Sequence, residues 1–286
     1  MATHGRVLDR RRFELLIDGG DPAAVLAALD GYRNRDGGYG WGLEPDLRSP
    51  ESQPSAAMHA LEVLAEVAPV ATPRSTELCD WLGATSLPDG GLPFACSLTD
   101  EAGCAPWWRN PDVSTSSLQV TAQVAANAHH VAKHDAAVRT HPWLRRATEW
   151  CLAVIDSIRT KPFAYELLFA VRFLDAVADL EPDALGLLAK LAAYIPADGV
   201  VPVAGGVEGE ALGALDFATR PGGPVREMFE GGILERELGR LTDAQQPDGG
   251  WTVTFASVSP AAALEWRAYA TVEALIRLRR HHVLTG

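Results

Sequence analysis

Between residues 40 and 51 the chain reads Gly-Trp-Gly-Leu-Glu-Pro-Asp-Leu-Arg-Ser-Pro-Glu. Glu44 and Asp46 are spaced to act as a paired general acid and base. Arg48 is placed to hold an anionic group near the start of the next helix, and Trp41 to wall a substrate. The same residues serve equally as helix caps with a local arginine–carboxylate pair. A second stretch, Trp107-Trp108-Arg109-Asn110-Pro111-Asp112, sets two indoles beside a guanidinium. Such rings line a ligand pocket, stabilise a cation through their π faces, or form a lid packed over a core. Glu166 follows Tyr165 in an apolar run. Burial there raises a carboxyl pKa, which suits a general acid but also weakens it. Glu265, Trp266, Arg267 and Tyr269 repeat the theme near the C-terminus.

The acid candidates are therefore Glu44, Asp46 and Glu166. The substrate-binding candidates are Trp41, Arg48, His59, Trp107, Trp108, Arg109, Tyr165 and Trp266. Basic Arg48, Arg109 and Lys161 each precede an apolar helical pattern and suit a phosphate or carboxylate if those helix starts share one end. Ser55, His59 and Glu62 fall on one helical stripe, as do Asp112, Gln119, Gln123, Asn127 and His130. His130 and His134, four apart, lack a convincing third ligand, so no metal and no cofactor is expected.

The elements that must position these groups repeat along the chain. Asp36-Gly37-Gly38, Asp89-Gly90-Gly91, Asp198-Gly199 and Asp248-Gly249-Gly250 recur at separations of 53, 109 and 50 residues. The doubled middle interval implies a unit that lacks the turn. Asp caps irregular backbone and Gly supplies positive φ, so each is a turn. Helical periodicity precedes each turn, over 22–33, 74–84, 183–194 and 226–245, with a further helix over 143–158. It follows each of Pro50, Pro111, Pro162 and Pro260, over 51–67, 112–132, 162–178 and 260–280. The second helix of each pair is the more apolar, which requires burial on most sides. The expectation is all-α: an α/α toroid of helix hairpins with inner and outer layers, one domain over 1–286 with the repeats over about 20–280. An open solenoid is the alternative.

The length of 286 residues suits such a repeat core, and 47% hydrophobic residues exclude a disordered chain. A formal net charge of −12 argues against a nucleic-acid partner. No run of apolar residues is long enough to span a membrane. The arginines at 6, 10, 11 and 12 lack a following apolar region, so a secretory signal is not expected. Four cysteines without Cys-x-x-Cys spacing are expected to be reduced thiols in a cytoplasmic protein.

Gln246-Pro247-Asp248-Gly249-Gly250-Trp251 resembles the Gln-x-x-Gly-x-Trp repeat of squalene–hopene cyclases, with 34–39 and 87–92 as degenerate copies. The resemblance covers most of the chain and implies the toroid shared by terpenoid cyclases and protein prenyltransferase β subunits. It carries over no catalytic residue. The Asp-x-Asp-Asp acid, the Asp/Cys/His zinc ligands and the Gly-Cys-Gly-Glu-Gln thioester string of toroid proteins do not occur here. It implies an enzyme that binds an isoprenoid-like or other apolar small molecule in a central cavity, with acid-initiated cyclisation or isomerisation. The alternatives are a binding or scaffold toroid without chemistry, and an α/α-barrel enzyme acting on carbohydrate. The sequence leaves the oligomeric state open.

Overall fold

The computed structural model describes Met1 and residues 4–284. These residues are mostly α-helical, as expected, and form two compact units. One unit spans Asp21–Ser157 and holds α2 (Pro22–Leu29), α3 (Pro54–Glu66), α4 (Pro73–Thr85), α5 (Leu118–Ala132), α6 (Ala136–Arg139) and α7 (Pro142–Ser157). The other joins residues 1–20 to 158–286. It holds α1 (Val7–Asp18), α8 (Ala164–Val177), α9 (Ala184–Ala192), α10 (Ala214–Phe217), α11 (Ile233–Asp243) and α12 (Pro260–Arg280). Its strands β1 (Val201–Pro202) and β2 (Ala211–Leu212) pair antiparallel, Val201 opposite Leu212. No helix among the described residues is long and apolar enough to cross a membrane.

The repeat seen in the sequence is a repeat of hydrogen bonds. In each Asp-Gly-Gly turn the Asp side chain accepts from a backbone N–H two residues on: Asp36 from Gly38 (2.9 Å), Asp89 from Gly91 (3.1 Å), Asp248 from Gly250 (3.2 Å). The turn is closed by Asn34 N–H to Gly38 O, Leu87 N–H to Gly91 O and Gln246 N–H to Gly250 O. In the 21–157 unit the Asp also accepts a serine hydroxyl from the segment entering the next helix, Ser52 to Asp36 (2.8 Å) and Ser116 to Asp89 (2.6 Å). A Cβ on Gly38 or Gly91 would overlap these serines and an indole, Trp81 or Trp150. Only glycine lets the turn sit that close to the segment entering the next helix and to the indole of a later one, Trp81 on α4 or Trp150 on α7.

These bonds also explain where the helices start. Pro50 and Pro111 fall in loops, and α3 begins at Pro54 and α5 at Leu118. The segment before each helix must first return to the turn, through Gln53 N–H to Tyr39 O and Ser117 N–H to Leu92 O, both 2.8 Å. Asp112 therefore lies outside α5 and off its polar stripe. Pro22, Pro54, Pro73, Pro142 and Pro260 do occupy first helical positions, where the missing N–H costs nothing.

Within the 21–157 unit α3 packs on α5, α5 on α7 and α4 on α7. All of α3 is buried except Glu62, Ala65 and Glu66. Its alanines at 56, 57 and 60 are matched by alanines 122, 125, 126 and 128 on α5, all buried. Small side chains let the two axes approach closely, while Leu61 and Leu64 each contribute about 2 kcal/mol by leaving water. α5 keeps Gln119, Gln123, Asn127 and His130 on a half-buried stripe, from which Asn127 donates to Met58 O at 3.3 Å. Asp135 is spent capping α6, accepting from Ala137 and Val138 N–H.

In the other unit α1, which periodicity did not announce, packs on α12. The arginines in and just before it are held by carboxylates, two of them one turn away and one on α12. Arg6 donates to Asp9 at 2.7 Å, Arg11 to Glu14 at 2.6 Å, and buried Arg12 to Glu273 at 2.8 Å while lying over the Tyr269 ring. The buried side chains of α12, Ala262, Trp266, Ala268, Thr271, Val272, Ala274, Ile276 and Leu278, are spread round the helix, with exposed residues confined to its two ends. More of it is buried than of α11, the helix before it, as expected of the second helix of a pair.

Candidate functional site

The loop entering α3 carries the densest polar stretch between two helices. Residues 42–47 are instead buried, and only Trp41 and Arg48 at its two ends are exposed. The loop is closed by Trp41 N–H to Ser49 O (2.8 Å) and by the Leu47–Cys104 bridge. Ala105 N–H donates to Asp46 O at 2.8 Å, and Gln53 reaches across to Cys96, accepting its N–H at 2.8 Å. Leu47 thereby joins a small core with Ala95, Cys104, Ala105 and Trp108.

Glu44 is turned inward by this closure. Its Oε1 accepts from Asp46 N–H at 3.2 Å, and its Oε2 meets His59 Nε2 at 3.1 Å. The other ring nitrogen, Nδ1, meets Glu62 Oε2 at 2.9 Å. Two carboxylates therefore face the two N–H groups of one imidazole, which is only 5% exposed. Burial alone would push the His59 pKa down. The Glu62 charge and the hydrogen bonds to Glu44 and Glu62 more than offset it and raise the pKa to about 9. At neutral pH His59 is an imidazolium between Glu44 and Glu62, and both of its ring N–H donors are used. Glu62 belongs to this centre although it was not singled out as a site residue. Its signal was the stripe of Ser55, His59 and Glu62 at one and two helical turns. Asp46 contributes its backbone N–H to Glu44 and is itself buried.

Two neutral hydroxyls in the same unit have no protein partner: Ser55 Oγ, one turn before His59 on α3, and Tyr39 OH. Burial pushes the Tyr39 hydroxyl up to about 12, so it stays protonated. Tyr39 occupies the repeat position that Trp251 fills in the other unit, where the indole N–H reaches Leu241 O at 2.7 Å.

The indole pair divides. Trp108 is buried and stacks on Phe94 with centroids 4.6 Å apart, so it is core of the loop layer. Trp107 is half exposed, and Arg109 donates to Cys104 O at 2.9 Å. Trp41 is 59% exposed at φ 56°, a left-handed conformation that costs a non-glycine residue about 1–2 kcal/mol. Its indole N–H donates to Asn34 Oδ1 at 2.7 Å.

Glu166, Tyr165 and Trp266 belong to the other unit. Burial raises the Glu166 pKa, as expected for a carboxyl in the first turn of apolar α8. Tyr165 donates to Glu210 at 2.8 Å, and Trp266 packs edge-on against Phe255 and Tyr269. Among the described residues no three His, Cys, Asp or Glu side chains are grouped to hold a metal.

No family model matches the chain, and no curated protein matches it. A solved structure does. The crystal structure of a protein from Actinoplanes is similar over 97% of this chain and 90% of that one, with a TM-score of 0.56 and 17% identity. At that identity the two share a fold, and the likeness says nothing of activity.

Proposed function

We propose that the chain is an α/α-toroid enzyme of the terpenoid cyclase and prenyltransferase type, with Glu44 as the acid that starts cyclisation or isomerisation of an apolar, isoprenoid-like substrate. The observation that carries this reading is the buried Glu44–His59–Glu62 triad. A cyclase acid must be strong, and burial alone makes carboxyls weak, as at Glu166. Glu44 differs in having a histidinium and a backbone N–H against its two oxygens. Two of the four lone-pair sites of Glu44 are left for a substrate. In the proposed step the proton on His59 Nε2 passes to Glu44 and on to a substrate double bond, forming a carbocation. The Glu44 carboxylate then takes a proton from the product cation and returns it to His59, restoring the enzyme. Glu62 positions the imidazole and keeps it charged. The toroid part of the reading is supported by the repeated turn bonds and by the near-complete burial of α3 and α8, as inner helices require.

The test is incubation with farnesyl diphosphate, geranylgeranyl diphosphate and squalene, with products followed by gas chromatography and mass spectrometry. A cyclised or isomerised product that disappears in Glu44→Gln, while the variant keeps its circular-dichroism spectrum and a cooperative melt, is the expected result. Absence of product and of any thermal shift with all three substrates refutes it.

A further inference from the structure

A helix that packs on one side only carries charge on the other. α4 turns Glu77 and Asp80 outward, α7 Arg145, Arg146 and Glu149, and α11 Glu235, Arg236 and Arg240. The short α2 exposes only the methyl groups of Ala23 and Ala27. α9 departs from all of them. It packs on α8 and on a 3₁₀ turn at Pro224–Met228, and its buried side is Ala184, Leu187, Leu188 and Leu191. Its other side is apolar too. Leu185, Gly186, Ala189 and, one residue past its end, Ala193 fall on one helical stripe and are all exposed. Lys190, half-buried, is the one charge within the helix. Leu180, in the tight turn leading into α9, is exposed as well. Leu180 at 64% and Leu185 at 55% are among the most exposed large apolar side chains of the described residues. Carboxylates crowd the same turn, where Asp179, Glu181 and Asp183 alternate with Leu180 and Pro182. Asp179 faces Arg220 at 3.5 Å. Asp183 stands at the N-cap of α9, yet its side chain caps nothing. Neither its carboxylate nor that of Glu181 has a hydrogen-bond or ion-pair partner among the described residues. Asp30, Glu77 and Asp248, by contrast, are each held by an arginine.

We propose that this side of α9, with the turn before it, is the docking surface for a basic amphipathic helix of a partner protein. The apolar side of such a helix covers Leu180 and Leu185, and the small residues at 186, 189 and 193 let its axis approach closely. Its lysines or arginines meet the unpaired Glu181 and Asp183 carboxylates. Charge selects this occupant over the others. A second copy of the chain offers the same two carboxylates and another net −12, so it matches the apolar stripe but not the charge. An anionic lipid surface is repelled for the same reason. The surface is independent of the chemistry assigned to Glu44.

The probe is a synthetic helix of leucine and lysine, about 18 residues and five turns long, with its leucines along one side. It is titrated against the whole chain by fluorescence anisotropy. Two controls run beside it: a peptide of the same composition with the leucines scattered round the helix, and a leucine–glutamate peptide of the original pattern. The amphipathic leucine–lysine helix is expected to bind, the scattered peptide about tenfold more weakly, and the glutamate peptide not measurably. Leu185→Lys is expected to keep the Tm within about 4 °C and to weaken binding about tenfold. Glu181→Gln combined with Asp183→Asn weakens binding and flattens its salt dependence. Glu208→Gln, at an exposed acid in the β1–β2 loop, leaves it unchanged. Equal binding of the scattered peptide means general attraction to an acidic chain and overturns the proposal. Unchanged affinity in Leu185→Lys overturns it too, as does a fall in that variant's Tm by more than about 4 °C, which means the leucine serves packing. A dimer in sedimentation velocity that Leu185→Lys abolishes gives the face to a second copy instead, and also overturns it.

Discussion

His59→Ala is expected to destabilise the 21–157 unit by about 3–5 kcal/mol at pH 7, because it leaves two carboxylates facing each other across a buried gap without their shared cation. The measurement is urea unfolding followed by circular dichroism. The wild-type chain should show the pH dependence that the imidazolium imposes. The His59 pKa is raised in the folded state, from 6.5 to about 9, so its stabilising contribution is fully present below about pH 6.5 and is lost as pH rises through 9. A shift of that size corresponds to about 3 kcal/mol. If His59→Ala costs less than about 1 kcal/mol and wild-type stability is flat between pH 6.5 and 9.5, the triad is not charged as described.

Gly40→Ala is the second large effect, expected to cost at least about 3 kcal/mol. A Cβ at this position would stand 2.2 Å from Glu51 O and 2.5 Å from Pro50 O. Both obstacles are backbone, so no rotamer change relieves them. The loop 40–52 would have to open, and with it the placement of Glu44 against His59. Gly31 serves as the control. Nothing lies within 4 Å of its missing Cβ, and Gly31→Ala should be neutral or stabilise by up to about 1 kcal/mol. Thermal melts of the two variants decide the point. Equal melting temperatures would show that the close approach of residues 40 and 51 does not exist in solution.

Much of the helical framework was legible because its signals are local. The turns at 36–38, 89–91 and 248–250 are written in Asp and Gly, and seven of the nine helices expected from periodicity and proline start within three residues of the observed ones, while α5 and α11 start six and seven residues later than expected. The exceptions have identifiable causes. Pro50 and Pro111 looked like helix starts, yet Gln53 and Ser117 must first bond back to Tyr39 and Leu92. The α1 helix was hidden because its arginines read as a charged terminus, when Arg6 and Arg12 gather around buried Asp9. For the site, the acid Glu44 and the imidazole His59 were both picked out, but as separate candidates fifteen positions apart. Trp107 and Trp108 look alike in a string of letters. Only the stack on Phe94 makes one of them core and leaves the other at the surface.

Residue order by itself determined the helical class, the repeat and the identity of the chemical groups, since these follow from backbone propensities and spacing along the chain. Tertiary structure decided which of those groups meet. Folding the loop 42–47 inward brings Glu44 to a histidine already flanked by Glu62, and that encounter sets the charge of the imidazole. A pKa depends on distances of about 3 Å in a water-poor surrounding, which no linear spacing specifies.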